Sequence, residues 1–200
     1  MMKTLNKTAL KFAKTIALSS LLALSSSVFS APLPALVDDF CNATDNNLSI
    51  ARQFMSDAIA GGNTKMEPHV SAGIMQVKGD IVPPRGQPGW ASSILPLSAE
   101  GMPEDASQFD GIKLVIKIRS GNMTISANST EIDNFDYHAA PLTVPTDGKF
   151  HEVKIPFESM KRAWSQPTPL NAATLNSLSI VAFSLQPASF DFEVDEVSFY

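Results

Sequence analysis

Gly111-Ile112-Lys113-Leu114-Val115-Ile116-Lys117-Ile118-Arg119 carries an apolar side chain at 112, 114, 116 and 118, with Lys113, Lys117 and Arg119 between them and only Val115 breaking the polar series. A two-residue period belongs to a strand with one face in a core and the other in water. Toward the C-terminus Phe190, Phe192 and Val194 alternate in the same way with Asp191, Glu193 and Asp195. The phase then slips before Val197 and Phe199, which predicts a β-bulge around Asp195 and Glu196. Short apolar runs predict further strands at residues 35–41, 73–82, 90–97, 123–127, 137–144, 150–156 and 177–185.

The breaks between these runs are equally readable. Pro83, Pro84, Arg85, Gly86, Gln87, Pro88 and Gly89 must form a connection, because adjacent prolines cannot donate to a ladder. Asp147 and Gly148 predict a hairpin turn between Val144 and Phe150. Single helical turns are predicted at residues 158–164 and 171–175. With no internal repeat and no linker, residues 31–200 read as one all-β domain, a sandwich or barrel. A chain of this size can bury a core without disulfides or metals.

Residues 1–30 have the layout of an export signal. Lys3, Lys7, Lys11 and Lys14 form a basic head, Ile16 to Leu24 an apolar stretch, and Ser25 to Ser30 a small polar tail. Cleavage is expected after Ser30, which places the remaining chain in the periplasm or outside the cell. The apolar stretch falls short of the roughly 20 residues of a spanning helix, and no Cys marks a lipid attachment, so no stable membrane anchor is expected after cleavage. Losing those four lysines leaves 11 basic and 20 acidic residues, a formal net charge of −9. Such a surface repels phosphate backbones, and nucleic acid is not an expected partner.

The chemistry-bearing residues do not form a reactive set. Cys41 is the single cysteine, read here as a buried thiol at the end of the first strand, with two aspartates beside it opposing a thiolate. His69, His138 and His151 are not at metal-ligand spacing. No nucleophile elbow, zincin helix or phosphate loop occurs, and pairs such as Asp133 with Asp136 are common in any β-protein. No catalytic residue is assigned, and the chain is not expected to be an enzyme.

The order of several short elements carries a resemblance. Val37-Asp38-Asp39-Phe40, then Asp45-Asn46-Asn47, the pair Gly61-Gly62, Phe109-Asp110-Gly111-Ile112, His151 to Phe157, Trp164, Leu178 to Phe183 and Phe192 to Phe199 follow one another as in the complex I intermediate-associated protein family. That is the NADH:ubiquinone oxidoreductase assembly-factor type of domain, and the chain also resembles jelly-roll carbohydrate-binding modules. Cys41 stands where the family usually has Glu. The resemblance implies a galactose-binding-like jelly-roll β-sandwich with a scaffold and binding role, in which the first and last strands are neighbours. Asp38, Asp39 and Asp195 would then meet at one rim, where a structural calcium ion could take their oxygens.

The remaining candidates are for recognition. Trp90, Tyr137 and Trp164, with Arg85 and His138, offer aromatic faces and polar groups of the kind that hold a sugar ring in a shallow site. Two functions are expected from this reading: a protein-binding, assembly-type module of the cell envelope, or a stand-alone carbohydrate-binding module. The partner is accordingly an unidentified protein or a glycan.

Overall fold

The computed structural model describes residues 31–200; the expected export signal lies outside the described residues. The chain starts in one sheet with β1 (Leu36–Asp38) and crosses to a second with β2 (Gln53–Ser56). It returns for the hairpin β3 (Lys65–Ser71) and β4 (Ile74–Ile81), crosses again for β5 (Gly89–Pro96) and comes back for β6 (Gly111–Ser120). β7 (Asn122–Ser129) and β8 (His138–Leu142) lie in the second sheet and β9 (His151–Pro156) in the first. β10 (Lys161–Arg162) and β11 (Leu175–Ser184) follow in the second, and β12 (Ala188–Phe199) closes the first. The first sheet runs β3-β4-β12-β6-β9 with β1 also on β12, and the second runs β10-β8-β7-β11-β5-β2. Repeated crossing between two antiparallel sheets makes this a jelly-roll β-sandwich, as expected.

The alternation that predicted the strands is the one that fills the core. Ile112, Leu114, Ile116 and Ile118 of β6 are all buried, and they face Met123, Ile125 and Ala127 of β7 and Leu178, Ile180 and Ala182 of β11 within one cluster. Burying each of the larger side chains contributes roughly 1.5–3 kcal/mol. In β12 the pairing with β6 shifts between Val194 and Glu196. Asp195 is the extra residue of the predicted bulge, and it resets the phase so that Val197 and Phe199 return to the core. β1 pairs with β12 through Leu36 opposite Ser198, so the first and last strands do meet.

Four expectations need correction. The first strand stops at Asp38, because the Asp38 and Asp39 carboxylates accept from the backbone N–H groups of Phe40 and Cys41, and Phe40 has φ of 55°. These side-chain turns end the extended chain, and Cys41 is exposed rather than buried. Asp147 and Gly148 do make a turn, but β8 and β9 lie in different sheets, so it sits in a crossover and not a hairpin. Residues 158–164 hold a 3-10 turn at Phe157–Ser159 followed by β10 rather than one helical turn. Finally, β2, β3 and β10 were not foreseen. β10 is only two residues long, and β3 (Lys-Met-Glu-Pro-His-Val-Ser) has the proline and charges of an edge strand, which hide its period.

One buried ion pair ties the start of the domain together. Arg52 grips Asp38 with Nε at 2.5 Å and Nη2 at 2.6 Å, donates Nη1 to the Asn42 carbonyl, and lies over the Phe40 ring. Both side chains are essentially inaccessible to solvent.

Candidate functional site

The two outer faces of the sandwich are built from different residues. On the first sheet the outward positions of β3, β4, β6, β9 and β12 are largely charged, and the charges across β6 and β12 are mostly paired. Arg119 bonds Asp191 at 3.1 Å and also Glu193, which Lys117 reaches as well; Lys113 meets Glu196 at 2.9 Å, and Lys78 meets Glu67 at 3.5 Å. Burial raises the Glu193 carboxyl, but Lys117 and Arg119 outweigh it and hold the group below its ordinary value. Lys117 and Lys154 also cap the rings of Phe150 and Tyr200. This face is closed by its own contacts.

On the second sheet the outward residues form rows across β5, β11 and β7. Trp90, Phe183 and Asn122 make the first row; Ser92, Val181 and Thr124 the next; then Ile94, Ser179 and Ser126; and last Pro96, Ser177 and Asn128. Met55 and Gln53 extend the middle rows onto β2, and Pro141 and Ala139 extend them onto β8. Among the described outward residues of these strands, Lys161 on the edge strand β10 is the one charge. The floor is sunk: Ser126, Ser179 and Ser92 are 2%, 5% and 7% exposed although they point away from the core. Asn128 donates its amide to Ser177 and Ser179, yet the Ser126 hydroxyl has no partner among the described residues. A buried, unpaired hydroxyl costs roughly 1–3 kcal/mol.

Trp90 is held at one end of that face by a buried carboxylate. Its backbone N–H donates to Asp57 Oδ2 at 3.1 Å, and Thr64 fills the rest of the Asp57 carboxylate with its own N–H and hydroxyl. The preceding Gly89 is required there, since a Cβ would lie 2.5 Å from Ile81 Cγ2 and 3.0 Å from Asp57 Oδ2. Arg85, exposed in the loop before β5, is at this same end.

Tyr137 is in phase with Ala139 and Pro141 at the opposite end, where β8 leaves Ala127. Asn122 and Asn128 bound the distance between the two ends, roughly 20 Å at 3.3 Å per residue. Trp90 and Tyr137 therefore do not form one cluster. Tyr137 and Trp164 are brought together instead, by Asp136. Its carboxylate, 2% exposed, accepts from the N–H groups of Tyr137, Ala163, Trp164 and Ser165 and from Arg162 Nε. Burial pushes this carboxyl up, but the donors from Ser165, Tyr137, Arg162 and Trp164 outweigh it and hold the group far below the usual carboxylate range. Burial, then the Asp136 charge, pushes the Tyr137 phenol up. His138 points inward and bonds the Thr168 carbonyl.

The carboxylates expected at one rim, Asp38, Asp39 and Asp195, lie on β1, just after it and at the bulge of β12. The charge and hydrogen bond of Asp39, then burial, then the charges of Asp195 and Asp38, raise the Cys41 thiol. Asp38, however, is committed to Arg52, whose charge opposes a cation at that carboxylate. Among the described residues no group of three His, Cys, Asp or Glu side chains could hold a metal ion.

The hydroxyl and amide floor was missed in the sequence, although its signal is present. In Asn122-Met123-Thr124-Ile125-Ser126-Ala127-Asn128 the polar phase consists entirely of uncharged hydrogen-bonding residues, whereas in β6 it is Lys and Arg.

The sequence profile of the family described as Complex I intermediate-associated protein 30 (CIA30) matches residues 42–194. No curated protein matches the chain. Among solved structures it is similar to the family 11 carbohydrate-binding module of the cellulosomal cellulase Lic26A-Cel5E of Clostridium thermocellum, at 18% identity and a TM-score of 0.58, over 85% of this chain and 95% of that one. A family 11 module from Clostridium thermocellum in complex with a β-1,3-1,4-mixed-linked tetrasaccharide aligns with the same identity and score over 96% of its length. An agarase, AgWH50C, is similar at 9% identity and a TM-score of 0.55, over 82% of this chain and 24% of that one. At these identities the likeness is one of fold.

Proposed function

We propose, from the premise that the chain belongs to the Complex I intermediate-associated protein 30 family, that it is a non-catalytic binding domain holding an extended neutral glycan on the outer face of its second sheet. The observation that carries this reading is the contrast between the faces: one carries a lattice of ion pairs, the other is a sunken, almost uncharged floor of hydroxyl and amide side chains. An aromatic side chain at one end and hydroxyl and amide groups along the rows suit a ligand with apolar ring faces and many hydroxyls. An anionic or cationic chain would find little to neutralise it there. One related fold, the family 11 module, is seen with a mixed-linked tetrasaccharide. Affinity electrophoresis through gels containing neutral β-glucans, agarose, mannan or xylan tests the idea: at least one should retard the domain, and free migration in all of them would sink it.

A second reading, an assembly-type module with a protein partner in the cell envelope, draws on another observation. Phe135 is fully exposed and Trp164 is 67% exposed, yet the loop carrying Trp164 is fixed by Asp136. Rigid exposed aromatics are typical anchors of protein interfaces. Crosslinking from the Trp164 loop in envelope extracts should yield one defined partner if this reading holds, and only diffuse products if it does not. Both readings place the domain in the periplasm or outside the cell, on the strength of the basic, apolar and small-residue order in residues 1–30. N-terminal sequencing of the mature protein should begin at Ala31.

A further inference from the structure

Where the second face runs out beside β2, it drops into a depression of about 150 Å³. A closed cavity of roughly that volume admits one six-membered ring. Its apolar side is Ile50, Ile94 and Pro96, and its rim includes Gln53 and Asn176; no lining residue is charged.

The walls are fixed before any ligand arrives. Asn46, 4% exposed, accepts from the N–H groups of Leu48 and Ile50 and donates to the Pro96 carbonyl at 2.7 Å, which pins the Ile50 wall to β5. On the other side the Ser98 hydroxyl donates to the Met102 carbonyl at 2.9 Å, and Gly101 closes the turn with φ of 67°. Groups that could bind a ligand are left over. Ser177 donates to Asn176 Oδ1, so the Asn176 amide nitrogen remains without a partner among the described residues, as does the whole Gln53 amide. Asn128 donates in turn to Ser177, so a chain of hydrogen bonds runs from the middle of the face to the rim of the depression.

We infer that this depression is a binding site for a single uncharged, hydroxyl-bearing six-membered ring, the terminal unit of a glycan chain lying on the face. This inference rests on the glycan reading for the chain, while the pocket itself could also accept a free monosaccharide of the same chemistry. A charged group would enter unpaired, at a high desolvation cost. A purely apolar ring would leave the Gln53 and Asn176 amides unused. An amphipathic ring matches the apolar wall with its ring face and the two amides with its hydroxyls. Each neutral hydrogen bond changes affinity by about fivefold to tenfold.

The test is NMR titration of the full mature chain with a mixed-linked β-1,3-1,4 tetrasaccharide, agaro-, manno- and xylo-oligosaccharides, the parent polymers and the free monosaccharides. The side-chain amides of Gln53 and Asn176 and the backbone of residues 98–101 should shift with the oligosaccharide that binds. Asn176→Ala or Gln53→Ala should weaken that oligosaccharide about tenfold and weaken the polymer, with its few ends, by a clearly smaller factor. Gln53 sits at an exposed edge, so its variant keeps the test valid if Asn176→Ala lowers stability. Oligosaccharide binding on the face with the depression unmoved and both variants normal overturns the inference and leaves the glycan reading intact. Monosaccharides shifting the two amides, without any chain binding, support the pocket and defeat the chain reading. Silence from all the sugars overturns both.

Discussion

The two outer faces share the same strand geometry and the same core, yet one is a lattice of paired charges and the other a floor of serine, threonine and asparagine. On the first, each long side chain across β6 and β12 finds an opposite charge, so the surface satisfies itself without a partner. On the second, short side chains leave a hollow, one hydroxyl is orphaned, and Trp90 is fixed at the end by Asp57. In an all-β domain, the outer face that does not complete its own contacts is where a partner is to be sought.

Paired charges should not be worth the same wherever they occur. The largest effect is expected at the buried pair: Arg52→Met leaves Asp38 charged and uncompensated in the interior and should cost about 3–5 kcal/mol in urea denaturation. Glu193→Gln, on the outer lattice, should cost at most about 1 kcal/mol and lose even that in high salt. Next in size is ligand affinity. Trp90→Ala should weaken glycan binding by about 2 kcal/mol, roughly 30-fold, while Lys117→Ala on the opposite face leaves it unchanged by calorimetry.

Ser126→Ala sharpens the contrast further because its two effects should have opposite signs. Removing an unpaired buried hydroxyl should leave stability equal or raise it by about 1 kcal/mol, whereas glycan affinity should fall by a similar amount. A destabilised variant with full affinity would mean that Ser126 belongs to the packing alone.

The smallest expected effect concerns pH at the Trp164 loop. The Asp136 carboxyl is depressed in the folded state, so its stabilising contribution is complete above the unfolded value of about 3.9 and is lost only as the pH falls through the lower folded value. Trp164 fluorescence, read in a Trp90→Phe background, should therefore be constant from pH 7 to about 4 and change only below roughly pH 3. A transition near pH 5 would show that the carboxylate is not held as described.

Much of this was legible in the residues, and the failures have physical causes. Strands buried on one face, such as β6 and β12, announced themselves, and the bulge at Asp195 followed from a phase slip that only an extra residue can repair. β3 was hidden because its proline and charges, which protect a sheet edge, erase the period. Cys41 was misplaced because local side-chain turns at Asp38 and Asp39 compete with the strand, which hydropathy does not register. Arg52, fourteen residues from Asp38 in the chain, takes the carboxylate that the sequence reading offered to a cation. Large aromatics drew attention to Trp90 and Tyr137, which prove to be the two ends of one face. Its serines went unnoticed, since small hydroxyl residues also fill ordinary loops and only the cross-strand register gathers Ser92, Ser179 and Ser126.

Backbone chemical-shift mapping with whichever neutral polysaccharide fragment retards the domain decides which outer face binds it. Shifts should follow the rows from Trp90 and Phe183 through Thr124 and Ser126 to Asn128, with the amides of Lys113, Lys117 and Glu193 unmoved. Shifts centred on those charged residues, with the serine floor silent, would contradict it.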